Sequence, residues 1–453
     1  MEGYCENRAM ESDYLLSIDC VRSAAQPLKG APNDLDSLVD FVGDARFVLL
    51  GEASHGTHEF YRERARITKR LILEKGFQAI CLEADWPDAY RANQYVHGKP
   101  GDDNAVLALQ GFQRFPAWMW RNADVLDFVG WLRDYNDSAQ HKVGFYGLDL
   151  YSLHASMRVV LDYLDKVDPL AAARARHRYA CFENFGEDPQ AYGYAAGLGL
   201  SHTCESEVVA QLVELMESAT AYTRNDGTGA QEAFFSAEQN AHLVKSAEEY
   251  YRTMFRRQTS SWNLRDAHMV ETLGRLAQYL STDRKPAKLI VWAHNSHIGD
   301  ARATQMQRTG QWNVGQLVRL EYPHDCRLIG FTTYTGTVTA ASNWDEPAQC
   351  KTVPPARPDS YEALFHDTGI SNFLVSFGQG SNISVLLEQP RLERAIGVIY
   401  RPESELASHY FTARLSRQFD AVIHLDHTRA VEPLEEFAQV KDAEPAETYP
   451  SEI

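Results

Sequence analysis

Residues 49–60 read LLGEASHGTHEF, placing two carboxylates, two histidines, a serine and two glycines directly behind an apolar run. Groups of these types hold and move protons near neutral pH. His55 sits between small residues on a turn where the backbone can bend sharply and present the ring, which makes it the first candidate general base. A carboxylate beside it would fix its tautomer and raise its basicity, and Glu52 and Glu83 both qualify. Further along, CLEADW (81–86) offers Glu83 and Asp85, YGLDLY (146–151) offers Asp149, and WAHNSHI (292–298) offers His294 and His297. Ser54 stands in G-E-A-S-H-G rather than in the nucleophile elbow G-x-S-x-G, so a serine esterase of the usual kind is not indicated. Without a protein nucleophile, the simplest chemistry is attack by water activated by His55, with Arg64 or a second histidine steadying the oxyanion.

These residues follow runs that read as buried strands. RFVLL (46–50), AICLEA (79–84), VGFYGL (143–148), KLIVWA (288–293), RLIGFTTY (327–334), AIGVIY (395–400) and AVIHL (421–425) are nearly continuous apolar stretches. Separated by helices, they predict an α/β fold with a mostly parallel or mixed central sheet flanked by helices. Ligands of such sheets bind beyond the carboxyl ends of the strands. Four successive candidate strands therefore deliver Glu52, Glu83, Asp149 and His294 to one edge.

Helix patterns add two arginines. Phe60, Ile67 and Leu71 make an apolar stripe, and Arg64 falls on it, whereas Arg62, Arg66 and Lys69 point elsewhere. A guanidinium facing a core needs a carboxylate, and Glu52 and Glu83 are within the same strand edge. In SWNLRDAHMVETL (261–273), Arg265 and Asp266 lie near the stripe of Met269, Leu273, Leu276 and Leu280. Trp120, Arg121 and Asn122 precede another helix, so Arg121 is a possible substrate contact. The first helix pattern, at Leu35, Leu38, Val39 and Val42, follows a capping pair, Asn33-Asp34.

Between about 150 and 287 helical patterns succeed one another, predicting a helical insertion over the cleft, with 222–231 as an exposed loop. Its aromatic residues Tyr179, Phe182, Phe185, Tyr192 and Tyr194 suit either a substrate wall or a core. Residues 342–360, rich in proline and polar groups, read as a long loop. The hydrolase domain spans 30–430, and 431–453 reads as an acidic tail.

Composition narrows the function. The formal charge is −18 with no basic stripe, which disfavours nucleic acid and anionic membranes. No apolar run is long enough to span a bilayer, and the first residues lack a leader pattern. Seven scattered cysteines predict neither a disulfide framework nor a structural zinc site, consistent with a cytoplasmic protein. Phosphate-binding glycine motifs and H-E-x-x-H are absent. Catalysis without a metal is the expectation, although Glu52, His55, Glu83, His294 and His297 include enough ligands for a divalent metal.

The stretches 49–86, RFPAWMWRNADVLDFVGWLR (114–133), SWNLRDAHM (261–269) and VWAHNSHI (291–298) closely resemble the erythromycin esterase family. The resemblance covers about residues 30–430. It implies a mixed sheet with a helical region over the cleft, and hydrolysis of a macrolide lactone by water, inactivating the antibiotic with no required cofactor. It places the general base on His55, its acidic partners on Glu52 and Glu83, the site arginine on Arg64, and a distal histidine pair on His294 and His297. Two other readings stay open: a metal-dependent hydrolase of ester or peptide bonds, and a binding protein for a small molecule.

Overall fold

The computed structural model describes residues 14–224, 228–255, 258–283, 285–378 and 380–434. Its strands in chain order are β1 (Gln26–Pro27), β2 (Phe47–Leu50), β3 (Ala79–Asp85), β4 (Gly144–Asp149), β5 (Leu289–Trp292), β6 (Cys326–Thr332), β7 (Thr335–Ala340), β8 (Gln349–Val353), β9 (Asn372–Ser376), β10 (Arg391–Arg394), β11 (Tyr410–Ala413), β12 (Ala421–Leu425) and β13 (His427–Thr428). Eight of these form a central sheet in the order β1-β9-β12-β6-β2-β5-β3-β4. From β12 to β4 every pairing is parallel, while β9 runs antiparallel to both β12 and β1. The sheet is therefore mixed, as the apolar runs and the resemblance led one to expect.

Alternation along the strands explains why both faces are covered. Phe47, Leu49, Cys81 and Val291 face one core together with the helices between β4 and β5. Val48, Leu50, Ile80 and Trp292 face a second core with Phe60, Ile67 and Leu71 of the His58–Lys75 helix. Between β4 and β5 the described residues are helical, from Leu153–Val167 to Gln258–Leu280. The segment expected as an exposed loop, 222–231, is instead taken up by the ends of the Ala219–Thr223 and Thr228–Met254 helices, with 225–227 outside the described residues, as are 435–453 of the acidic tail. Residues 431–434 pack back on the site, with Val431 N donating to Gly56 O at 3.0 Å.

Several sequence expectations are corrected. AIGVIY is not a sheet strand: it forms isolated bridges, Ser54 to Ile396 and Ala341 to Ile399. Its buried Ile396 pins the His55 turn, with Ile396 N donating to Ala53 O (2.8 Å) and His55 N to Ile396 O (3.0 Å), while Gly397, Val398 and Ile399 line the cavity at the strand ends. Residues 342–360 are not one loop, since 349–353 return as β8 against β7. The Asp36–Val42 helix has no side-chain cap, because the Asp34 carboxylate accepts from Lys29 N and Ala31 N instead. Cys181 and Cys204 are joined by a disulfide, 23 residues apart, where a short 3-10 helix meets the start of the Glu205–Glu217 helix. Spacing alone does not reveal such a contact.

Among the described residues no helix is long and apolar enough to cross a membrane.

Candidate active site

The parallel strands end at a cavity of about 270 Å³ lined by His55, Glu83, Asp149, Arg265, His294 and His297. Gly51 and Glu52 follow β2, and the chain then turns through Gly56, whose φ of +68° suits glycine. A Cβ there would meet Thr339 O at 2.2 Å, so the turn is packed as well as bent. His55 is consequently buried, only 6% exposed, rather than standing on an open loop tip.

Two charge networks fill the floor. In the first, Glu52 bridges His55 and Arg64: Oε1 lies 2.9 Å from His55 Nδ1, and Oε2 accepts from Arg64 Nη2 at 2.8 Å. Glu52, not Glu83, is thus the partner that orients the imidazole. With Nδ1 donating to the bridging carboxylate, Nε2 is left as the basic nitrogen. Arg64 is fully buried, its guanidinium 4.4 Å from the Tyr61 ring centroid and 5.1 Å from that of Trp292. It sits behind Glu52 and does not line the cavity, so it can brace the Glu52–His55 pair but does not reach a ligand there.

The second network is built on Glu83. The β3–β4 register shifts between Leu82 and Asp85, an irregularity that re-aims the side chains there. Gly147 makes this possible, because a Cβ would lie 2.3 Å from Ala84 O. Glu83 Oε2 accepts from His294 N at 2.8 Å, and Oε1 accepts from Arg265 Nη2 at 2.8 Å. His297 Nε2 lies 3.2 Å from the same oxygen and 3.2 Å from Arg265 Nη1. Arg265 also grips Asp149 with two bonds of 3.0 and 2.7 Å. Such a fork holds the guanidinium in one orientation. Burial pushes the Glu83 carboxyl up, but His297 and Arg265 outweigh it and hold it well below the usual range.

The two distal histidines are pushed in opposite directions. Burial lowers His297, yet the Asp266 carboxylate at 3.0 Å and Glu83 overcome this and hold it up to about 10. Those two carboxylates favour its protonated form, and the Trp262 ring stacks on it at 4.6 Å and 7°. His294 is driven well below its ordinary value by burial and by His55, whose ring centroid is 4.8 Å away. His294 Nδ1 accepts from Ser296 N at 3.2 Å, which puts the ring proton on Nε2. That Nε2 is buried without a hydrogen-bond partner.

The fold thus gathers His55, Glu52, Arg64, Glu83, Asp149, Arg265, His294 and His297. Arg121 is half-buried and does not line the cavity. Its neighbour Trp120 lines the cavity, while Asn122 caps the Ala123–Ser138 helix through Val125 N. Tyr179, Phe182 and Tyr192 are core residues of the helical region and Tyr194 is exposed, so none of them walls the site. The aromatic lining comes instead from Phe112, Phe115, Trp120, Tyr151, Trp262 and Trp344. Asp266 and Trp262 belong to the site but carried no stronger sequence signal than a place near an apolar stripe. Among the described residues no group of three or more His, Cys, Asp or Glu side chains is arranged to hold a metal ion. The carboxylates of Glu52, Glu83 and Asp149 are each engaged by a guanidinium.

The chain is similar in sequence and in fold to known proteins. The chain is similar to erythromycin esterase type II of Escherichia coli, 23% identical over 335 residues, 68% of this chain and 74% of that one. A solved Bacillus cereus protein superposes with a TM-score of 0.78 at 21% identity, covering 93% of this chain and 99% of its own. A mutant of the erythromycin esterase EreC in its open conformation superposes with a TM-score of 0.65 at 20% identity, covering 91% and 98%. The family model described as Erythromycin esterase matches residues 72–428. The chain belongs to the erythromycin esterase family.

Proposed function

We propose that this protein hydrolyses a carboxylic ester of the macrolide lactone type, by attack of water activated at His55 and without a metal. The observation that carries this reading is the Arg64–Glu52–His55 chain, which leaves one basic ring nitrogen at a cavity wall. His55 Nε2 takes a proton from water as its oxygen bonds to the ester carbonyl carbon. The carbonyl electron pair moves onto oxygen, and the His294 Nε2–H supplies a buried donor for that charge. Arg265 and the His297 imidazolium add fixed positive charge beside it. Collapse breaks the bond to the alkoxy oxygen, which receives the proton from His55, leaving an acid and an alcohol.

The experiment is incubation with erythromycin, simpler lactones and acyl esters, read by mass spectrometry with and without a chelator. A mass gain of one water in the wild type and none with His55→Asn supports the reading. Loss of turnover with chelator, restored by one divalent ion, refutes its metal-free form. Depletion of free compound with no mass change indicates a binding protein.

A further inference from the structure

Behind the turn that presents His294 and His297 lies a buried carboxyl that takes no part in the two charge networks. Glu393, on β10, is fully buried, and its Oε1 accepts from Asn295 Nδ2 at 3.3 Å. Its Oε2 is buried without a hydrogen-bond partner. Glu362 and Tyr361, from the Tyr361–His366 helix, and Gln418, from the Leu415–Gln418 helix, are the other polar groups set against it. Among the described residues none that acts on it is a cation. Burial, reinforced by Glu362, pushes the Glu393 carboxyl well above the usual carboxylate range and so favours its protonated form. In that form it still accepts from Asn295 and has a proton to donate.

Asn295 shows what the contact does. It is fully buried and lies between His294 and His297, in the Asn295–Ile298 turn. Its N donates to Glu52 O at 2.9 Å. Its side chain clasps the backbone of Phe331, Nδ2 donating to the carbonyl at 2.8 Å and Oδ1 accepting from the amide at 3.3 Å. A Cβ on Gly51 would lie 2.1 Å from that Oδ1, so the amide also packs against the end of β2. One residue thus joins the ends of β2, β5 and β6. β10 is not part of the central sheet, so Glu393 is a buttress brought to Asn295 by a separate element. Neither residue lines the cavity.

We propose that Glu393 is a positioning residue of the site, bracing Asn295 so that the turn holds His294 and His297 in register with Glu52 and Glu83. Its consequence for rate rests on the ester-hydrolase reading above; its consequence for the turn does not.

The test uses the full chain as wild type, Glu393→Gln, Glu393→Asp and Glu393→Leu. Glutamine keeps an acceptor for Asn295 and a donor in place of the acid proton. Aspartate is one methylene shorter and withdraws from Asn295, and leucine keeps bulk without polarity. Crystal structures of the four proteins give the places of the two rings directly. The Glu393→Gln turn should superpose on wild type, whereas in Glu393→Leu and Glu393→Asp the rings should move by more than about 0.5 Å. With erythromycin and with phenyl acetate, kcat should fall about tenfold in Glu393→Leu while KM changes little, and glutamine should restore it. Native ring positions in both Glu393→Leu and Glu393→Asp overturn the proposal, as does a Glu393→Gln turn displaced as far as theirs, or a loss of kcat that glutamine does not restore. If none of the four cleaves either ester, the hydrolase reading fails, while the crystal structures still decide whether Glu393 holds the turn.

Discussion

Asp266→Asn isolates the electrostatics of the second network. Asp266 Oδ1 accepts from Val314 N at 2.9 Å and lies 3.0 Å from His297 Nδ1. An asparagine oxygen keeps the backbone bond and the volume but removes the charge. Against the penalty of burial, Asp266 is the largest influence holding His297 up to about 10, with Glu83 next. The gap between that value and an ordinary histidine at 6.5 corresponds to on the order of 5 kcal/mol of folding stability. A folded-state value raised above the unfolded one gives stability that is fully present below 6.5 and lost as pH rises through about 10. Losing one partner of this buried pair should cost about 3 kcal/mol near pH 6. Urea denaturation of wild type and variant across pH measures the difference directly. It should be largest near pH 6 and shrink as pH climbs toward about 10, where the wild type's His297 loses a proton that the variant's, without Asp266, gives up at lower pH. A stability difference of the same size at both ends would refute the assignment of His297 as a buried imidazolium.

His55→Asn should lower kcat for a cleaved ester by about 10²- to 10⁴-fold while the cooperative melt persists, and a near-normal rate would remove His55 as the base. Arg64→Leu should destabilise the fold by about 3–5 kcal/mol, because Glu52 would remain buried without its cation; unchanged denaturation would show the pair contributes nothing. Gly51→Ala should reduce both stability and turnover, since its Cβ would lie 2.1 Å from Asn295 Oδ1 in the turn carrying His294 and His297. A variant with native melting and full activity would show that this turn has room to shift. His294→Phe should slow turnover and lower the melting temperature modestly, because Nδ1 would no longer accept from Ser296 N at the start of the Asn295–Ile298 helix. A full rate would exclude it as the oxyanion donor.

The sequence alone determined which strands end in chemistry. Short, nearly continuous apolar runs are local signals, so β2, β3, β4 and β5 were legible along with the Glu, Asp and His residues at their ends. Helical spacing likewise placed Arg64 on a buried face, which obliged it to find a carboxylate. Only the tertiary structure decided the partners. Glu52 rather than Glu83 meets His55, because a register shift in β3 turns Glu83 toward Arg265, 182 residues along the chain. The Asp266–His297 pair spans 31 residues, and Phe115 meets Trp344 across two loops. Such contacts depend on how separated segments pack, and periodicity carries no information about that. The same holds for the AIGVIY run, whose apolar residues are equally consistent with a strand and with the backing of the His55 turn. Local repulsion from water chose which residues went inside; the packing of distant segments chose which charges they met there.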